Sequence, residues 1–253
     1  MRTGSTDVTE HYPGADRERL LEFVERSPAA VTRRDRDAWC ALFAEVYCIE
    51  DPVGSTPQKP AYPQDRGPLS RFFATFIEPN DIRFLPHRDY VEGMQVLRDI
   101  EIEIRMARSV LVRVPMFLLY ELVEEHGELR ISRLAAHWEL LPMLGRLFRC
   151  GLGALPVLWS LTWRMLQNQG PRGLAGFMRA AHGPGAKGKE RLSGIVHENE
   201  DARERMRLCS KIIAAGTTVS ARVRSEAGEG VVLAHFSGPA VARLSFYGLR
   251  SSR

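Results

Sequence analysis

The segment ALFAEVYCIEDPVGS, residues 41–55, passes through three kinds of local structure. Its first residues end an amphipathic helix, VYCIED has the composition of a short strand, and Pro52 begins a run typical of a turn. Asp51 therefore lies at the end of a strand, where helix and strand would place its carboxylate at the rim of any cavity that they enclose. The alternative is an Asp that accepts hydrogen bonds from its own turn.

Helices are predicted before this segment and a sheet after it. Residues 16–26 set apolar side chains at helical spacing, and Ser27 followed by Pro28 is typical of the start of a second helix. Residues 56–68 predict a loop, residues 69–77 a helix, and residues 82–138 a series of strands. In DIEIEI, residues 99–104, isoleucines alternate with acids, so we expect an antiparallel sheet with one buried face and one solvated face.

ALFAEVYCIEDPVGS resembles the helix-to-strand segment of ketosteroid isomerases, within the nuclear transport factor 2-like, or SnoaL-like, superfamily. The order of elements over residues 27–141, a little under half of the chain, is similar to that family as well. The resemblance implies an α+β fold in which a cone-shaped, curved antiparallel sheet is packed with helices around an apolar pocket. It also implies that Asp51 is the base that moves a proton, without a metal or an organic cofactor.

The family's mechanism joins an Asp base to an oxyanion hole made by a Tyr and a protonated Asp. Counting back from Asp51, the position of that tyrosine falls on Ser27, and the position of the second acid falls within residues 117–119, where this sequence has no acid. Two of the three groups are therefore replaced. Tyr120 and His137 are the candidates for the missing proton donor, because either side chain can donate to a substrate oxygen.

Other polar and aromatic residues are expected to contact the substrate. Trp138 and His137 are neighbours on a strand, so only one of them faces the pocket, and the alternation alone leaves open which one. Arg98 shares a strand face with isoleucines, and either binds an anionic group of a substrate or forms an ion pair at the sheet rim. The remaining candidates are His87, Phe117 and Tyr47.

These residues favour an enzyme that transfers a proton on an apolar cyclic substrate, steroid-like or polyketide-like, in an enclosed pocket. A SnoaL-like polyketide cyclase or epoxide-opening enzyme of secondary metabolism would use the same carboxylate. The two replaced groups favour instead a non-catalytic module that binds a small molecule or assists assembly.

The composition argues against a nucleic-acid-binding, metal-binding or secreted protein. The chain has 253 residues and a net charge of +4, an excess too small to predict nucleic-acid binding. Cys40, Cys48, Cys150 and Cys209 lie far apart, which predicts reduced thiols, no metal site and a cytoplasmic protein. The first residues lack the apolar region of a signal peptide.

Residues 150–163, CGLGALPVLWSLTW, carry no charge and are too few for a transmembrane span, which needs about 20 residues. We expect a buried helix or an interface, covered by the sheet, by a second subunit in a homodimer, or by peripheral contact with a membrane surface. The expected division of the chain is an N-terminal extension with a helix (1–26), the cone (27–141), the apolar helix with a glycine-rich loop (142–190), and a helix with a small antiparallel sheet (191–253).

Overall fold

The computed structural model describes residues 13–198, 207–226, 228–238 and 240–249. The helices are α1 (Pro13–Arg33), α2 (Arg36–Ala41), α3 (Gly67–Phe72), which continues as a π-helix (Phe73–Ile77), α4 (Leu140–Phe148), α5 (Ala154–Met178) and α6 (Gly185–Glu198). The strands are β1 (Phe43–Glu50), β2 (Asp81–Glu92), β3 (Gln95–Ala107), β4 (Val110–Glu125), β5 (Glu128–His137), β6 (Arg207–Ala215), β7 (Thr218–Ser225), β8 (Gly228–Ser237) and β9 (Ala240–Tyr247).

Helix α1 passes without a break through Ser27 and Pro28, so the expectation of a new helix at Ser27 is wrong. A proline inside a helix removes one backbone hydrogen bond and costs about 3 kcal/mol. Apolar side chains on both sides of Pro28, including Val24 and Val31, are buried in the same core. Their burial offsets this cost and holds the two halves in one helix.

The first sheet has the strand order β1-β5-β4-β3-β2 and curves around helices α1 to α3. The expected α+β class, with strands between residues 82 and 138 packed against helices, is confirmed. Two details differ. Strand β1 pairs with β5 in parallel, which makes the sheet mixed, and β2 is one long strand with an irregularity between Pro86 and Arg88. Pro86 cannot donate a ladder hydrogen bond, which accounts for the irregularity.

The second sheet, of order β6-β7-β8-β9, packs on the opposite face of the first sheet. The sequence predicts a helix over residues 198–214, of which residues 207–214 instead lie in β6, because the neighbouring strand β7 satisfies their backbone groups. Residues 199–206 of that prediction lie outside the described residues. The expectation of a solvated face on the first sheet is wrong at its centre. Apolar side chains from both sheets meet there, and α6 covers the outer face of the second sheet; the meeting side chains include Leu97, Phe117, Leu119, Ile213 and Leu233.

One acid of the DIEIEI run is buried where the two sheets meet. The Asp99 side chain is only 1% exposed, and Lys211 Nζ and Arg222 Nε donate to its two oxygens at 2.6 and 2.8 Å. Lys211 also donates to the carbonyls of Ile100 and Met116. Burial lowers the pKa of Lys211, while Asp99 opposes that shift. These contacts, called the inter-sheet ion cluster below, join β3 to β6 and β7.

We expect Asp99→Asn to lower the free energy of unfolding by about 3 to 5 kcal/mol, because it leaves buried cations without their counter-ion. Urea denaturation measures the loss. The matched control is Glu101→Gln on the same strand face, whose partner Arg113 is 61% exposed. That change should cost less than about 1 kcal/mol. Equal and small losses would mean that water reaches Asp99 between the sheets.

Candidate functional site

An apolar cavity of about 130 Å³ lies between the first sheet and the helices that cover it. An engineered apolar cavity of about 150 Å³ in another protein stays dry and binds benzene, so this space holds about one ring as it stands. It is smaller than the roughly 300 Å³ of ordinary ligand pockets. Its walls are mostly apolar, with polar groups from Ser27, Asp51, Asn80, Tyr120 and Trp138.

The Asp51 side chain lies at the wall of this cavity, directly after β1. The indole Nε1 of Trp138 donates to its Oδ1 at 2.6 Å. Burial raises the pKa of Asp51 to about 6, and the indole hydrogen bond opposes that rise by favouring the carboxylate. The neighbouring acid, Glu50, points to the other side of the strand and pairs with Arg133 at 2.6 Å. Of the two neighbouring acids, Glu50 and Asp51, only Asp51 lines the cavity.

Tyr120 and Ser27 form a second polar group in the same cavity wall. Both side chains are buried, Ser27 Oγ accepts a hydrogen bond from Trp39 Nε1 at 3.3 Å, and the interaction of Ser27 with the Tyr120 hydroxyl favours the ionised phenol. Burial raises the pKa of Tyr120, and the nearby Arg98 guanidinium opposes the rise. Ser27 from α1 and a phenol from β4 therefore meet in this part of the cavity wall.

Asp51 and Tyr120 are on opposite sides of β5, because β1 and β4 both pair with that strand. At about 4.8 Å between neighbouring strands, roughly 10 Å of sheet separates their backbones. A small cyclic molecule between them would therefore have the carboxylate near one edge and the phenol near the other.

His137 and Phe117 face away from the cavity, which corrects two of the predicted site residues. Trp138 faces the cavity, so strand alternation turns His137 to the opposite face, where it is 1% exposed. Neither ring nitrogen of His137 has a hydrogen-bond partner among the described residues, and burial lowers its pKa to about 3. Phe117 pairs with His137 across the strands, and its ring centroid lies 4.4 Å from Lys211 Nζ.

Three further predicted contacts are also absent from the cavity lining. Arg98 is held by Asp89 at 2.9 Å and Glu25 at 2.7 Å, so it forms the ion pair that was the alternative. His87 is exposed on β2, on the outer side of the sheet edge. Tyr47 is buried in the core, and its hydroxyl donates to a loop carbonyl at 2.8 Å. Each of these polar groups has a structural partner or solvent within reach instead of a substrate.

Other lining residues come from parts of the chain that the sequence analysis did not connect to the site. Asn80 lies after the π-helix, and Leu161 and Phe177 lie on α5. The signal for α5 is the spacing of Val157, Leu161 and Met165, four residues apart and all buried. The periodicity predicts a buried side of α5, but it does not predict that this side covers the cavity.

Comparison with known proteins gives no matching family model and no match among the curated proteins. Among solved structures, the chain is similar to ketosteroid isomerase from Mycobacterium sp., with 23% identity, a TM-score of 0.41, and coverage of 47% of this chain and 92% of that one. An epoxide hydrolase/cyclase-like enzyme of pyran ring formation in salinomycin gives 20% identity, a TM-score of 0.43, and coverage of 50% and 95%. An LEH-like epoxide hydrolase of M. tuberculosis gives 20% identity and a TM-score of 0.43, and the match covers 56% of this chain and 97% of that one.

We expect the Asp51 carboxyl to titrate near pH 6 when followed by carbon-13 NMR. Trp138→Phe removes the hydrogen bond that favours the carboxylate, so it should raise the pKa of Asp51 further, by about one to two units. A pKa near 4 in the unsubstituted protein would show that water solvates this carboxyl freely.

His137 should make stability depend on pH. Its pKa is depressed in the folded state, so the unfolded state binds more protons and the folded state loses stability as pH falls from about 6.5 towards 3. The loss approaches 1.4 kcal/mol per pH unit, about the energy of one pKa unit. Urea denaturation of His137→Leu should lack this component, with measurements near pH 8 as the reference. Parallel pH curves for the two proteins would refute the burial of a neutral imidazole.

Proposed function

We propose that this chain is an isomerase-like enzyme in which Asp51 transfers a proton on a small apolar cyclic ketone or enone. The observation that carries the proposal is a single acid, with its pKa raised to about 6, at the wall of a cavity that is otherwise almost wholly apolar. A general base works best when its pKa lies near the working pH. An apolar wall also selects substrates that lose little on leaving water.

In this mechanism the ionised Asp51 accepts a proton from the carbon next to the substrate carbonyl. The electron pair of the broken C–H bond moves towards the carbonyl oxygen, which becomes an enolate oxygen. Tyr120 donates a hydrogen bond to that oxygen from the far side of the cavity, with Ser27 orienting its hydroxyl. Asp51 then returns the proton to another carbon of the same conjugated system. Trp138 holds the carboxylate in place throughout.

A binding protein without catalytic activity is the second candidate. The observation that favours it is Leu118, which lines the cavity and lies within residues 117–119, the range where the resemblance implies a protonated acid. An apolar side chain there donates no hydrogen bond, and Tyr120 alone has to stabilise the enolate. Removal of one such donor costs enzymes about 100- to 1,000-fold in rate.

Exchange of the protons next to the carbonyl of cyclic ketones in deuterated water, followed by proton NMR, tests the proposal without knowledge of the natural substrate. The protein should accelerate exchange for a one-ring ketone, and the rate should rise with pH through a pKa near 6, because only the ionised Asp51 accepts a proton. Asp51→Asn keeps the size of the side chain and removes the base, so it should lower the rate by about 100- to 10,000-fold.

The matched control is Glu50→Gln, one residue away on the opposite strand face, which should leave the exchange rate unchanged. Calorimetric binding of the same ketone to Asp51→Asn should persist. Binding without exchange in the unsubstituted protein would identify a binding module instead. Opening of a cyclic epoxide in a parallel assay, lost in Asp51→Asn, would assign the carboxylate to epoxide chemistry.

A further inference from the structure

The outer surface of the segment from α4 into α5 is apolar and exposed. Its exposed side chains, called the cap surface below, are Phe148, Leu152, Leu155, Trp159 and Trp163, which are between 52% and 85% exposed. The expectation that the sheet covers this segment is therefore met only on its inner side, where Val157 and Leu161 are buried. Large apolar side chains exposed to this extent mark an interaction site.

Helical geometry brings three of the five side chains of the cap surface into one stripe. Leu155, Trp159 and Trp163 follow each other at four-residue intervals on α5, so they lie on one side of the helix. The Trp159 and Trp163 rings stack with their centroids 6.5 Å apart. Trp and Leu side chains at such positions insert into the boundary between lipid head groups and acyl chains.

The charges of the same region are of one sign. From Leu140 to Lys189 the sequence has no acidic residue and seven basic ones, which leaves 28 basic and 31 acidic residues in the rest of the chain. Lys189 pairs with Glu139 at 2.8 Å. Within the part of the chain that the structure describes, the other six form no ion pair; they are Arg146, Arg149, Arg164, Arg172, Arg179 and Lys187. Arg149 follows Phe148 and Arg164 follows Trp163 in the chain, so these cations flank the cap surface, whereas Arg179 lies beside Glu50 and His182. Cations at the edge of an apolar surface are complementary to an anionic partner that also has an apolar interior.

We propose that the cap surface docks the protein onto an anionic lipid membrane. The tryptophans and leucines enter the interfacial layer, and the flanking arginines contact the lipid phosphates while their stems stay in the apolar layer. The docking is peripheral: within the described residues no helix is both long enough and apolar enough to cross a bilayer. It requires no catalysis, so it stands or falls independently of the proton-transfer proposal.

Co-sedimentation of the full chain with vesicles tests this proposal. Vesicles of phosphatidylcholine and phosphatidylglycerol in equal parts should bind the protein, vesicles of phosphatidylcholine alone should bind it more weakly, and raising salt from about 0.1 M to about 1 M should weaken the first binding. Arg146→Gln with Arg149→Gln should lower binding to the anionic vesicles by about 30-fold, since each cation near such a surface contributes about fivefold.

The tryptophans provide a second measurement. Trp39 and Trp138 are buried, whereas Trp159 and Trp163 are exposed, so a blue shift of tryptophan emission on addition of vesicles would come from the cap surface. Trp159→Ser with Trp163→Ser should abolish the shift and lower binding at least tenfold. The control is Tyr62→Ser, which removes an aromatic ring that is 67% exposed on the 56–68 loop, and it should change neither. Circular dichroism melting curves establish that each variant is folded.

Two results would overturn the proposal. One is protein that stays in the supernatant with anionic vesicles at low salt. The other is a dimer in sedimentation velocity, with tryptophan emission already blue-shifted without lipid, that dissociates when both tryptophans are replaced. That dimer would assign the cap surface to contact between two copies of the chain.

Discussion

The first sheet is covered on both faces, and most of the molecule follows from that constraint. A curved sheet whose strands alternate can bury one face against helices and leave the other to solvent. Here the second sheet packs on the other face, and the acid that alternation places there, Asp99, is buried between the sheets. The inter-sheet ion cluster satisfies that acid. Asp99 can therefore alternate with Ile100, which faces the helices, without leaving a buried charge unpaired.

Two neighbouring strands determine the surroundings of Asp51. The last residues of β1 pair with β5, and this pairing fixes the position of Asp51. Strand β5 ends just before Trp138, whose indole donates the hydrogen bond to the Asp51 carboxylate. Burial disfavours the charged form of the carboxyl group, and this cost is what raises its pKa towards neutrality.

Sequence reasoning located α3, the strands of the first sheet and Asp51, because each depends on local periodicity or on a short motif. It did not locate the end of α5 or the start of α6, which lie in the segment expected to be a glycine-rich loop. It did not predict which residue of the pair His137 and Trp138 faces the cavity, since alternation fixes relative faces and only tertiary packing fixes the absolute one. The continuous α1 and the strand β6 were missed for a related reason. In both, burial and pairing with distant residues outweigh a local signal, the proline in one and a helix-like pattern in the other.

Helix α5 breaks at Gly170, where φ is 70°, and the part before the break is a wall one helix thick. Leu161 lines the cavity on its inner side, while Trp159 and Trp163 are exposed on its outer side. An α-helix with its side chains is about 10 to 12 Å across, so a hydrocarbon layer against the outer side would lie that far from the cavity. A water-insoluble molecule could then pass between the lipid layer and the cavity without entering water. Its supply would depend on its concentration in the lipid phase, whatever its solubility in water.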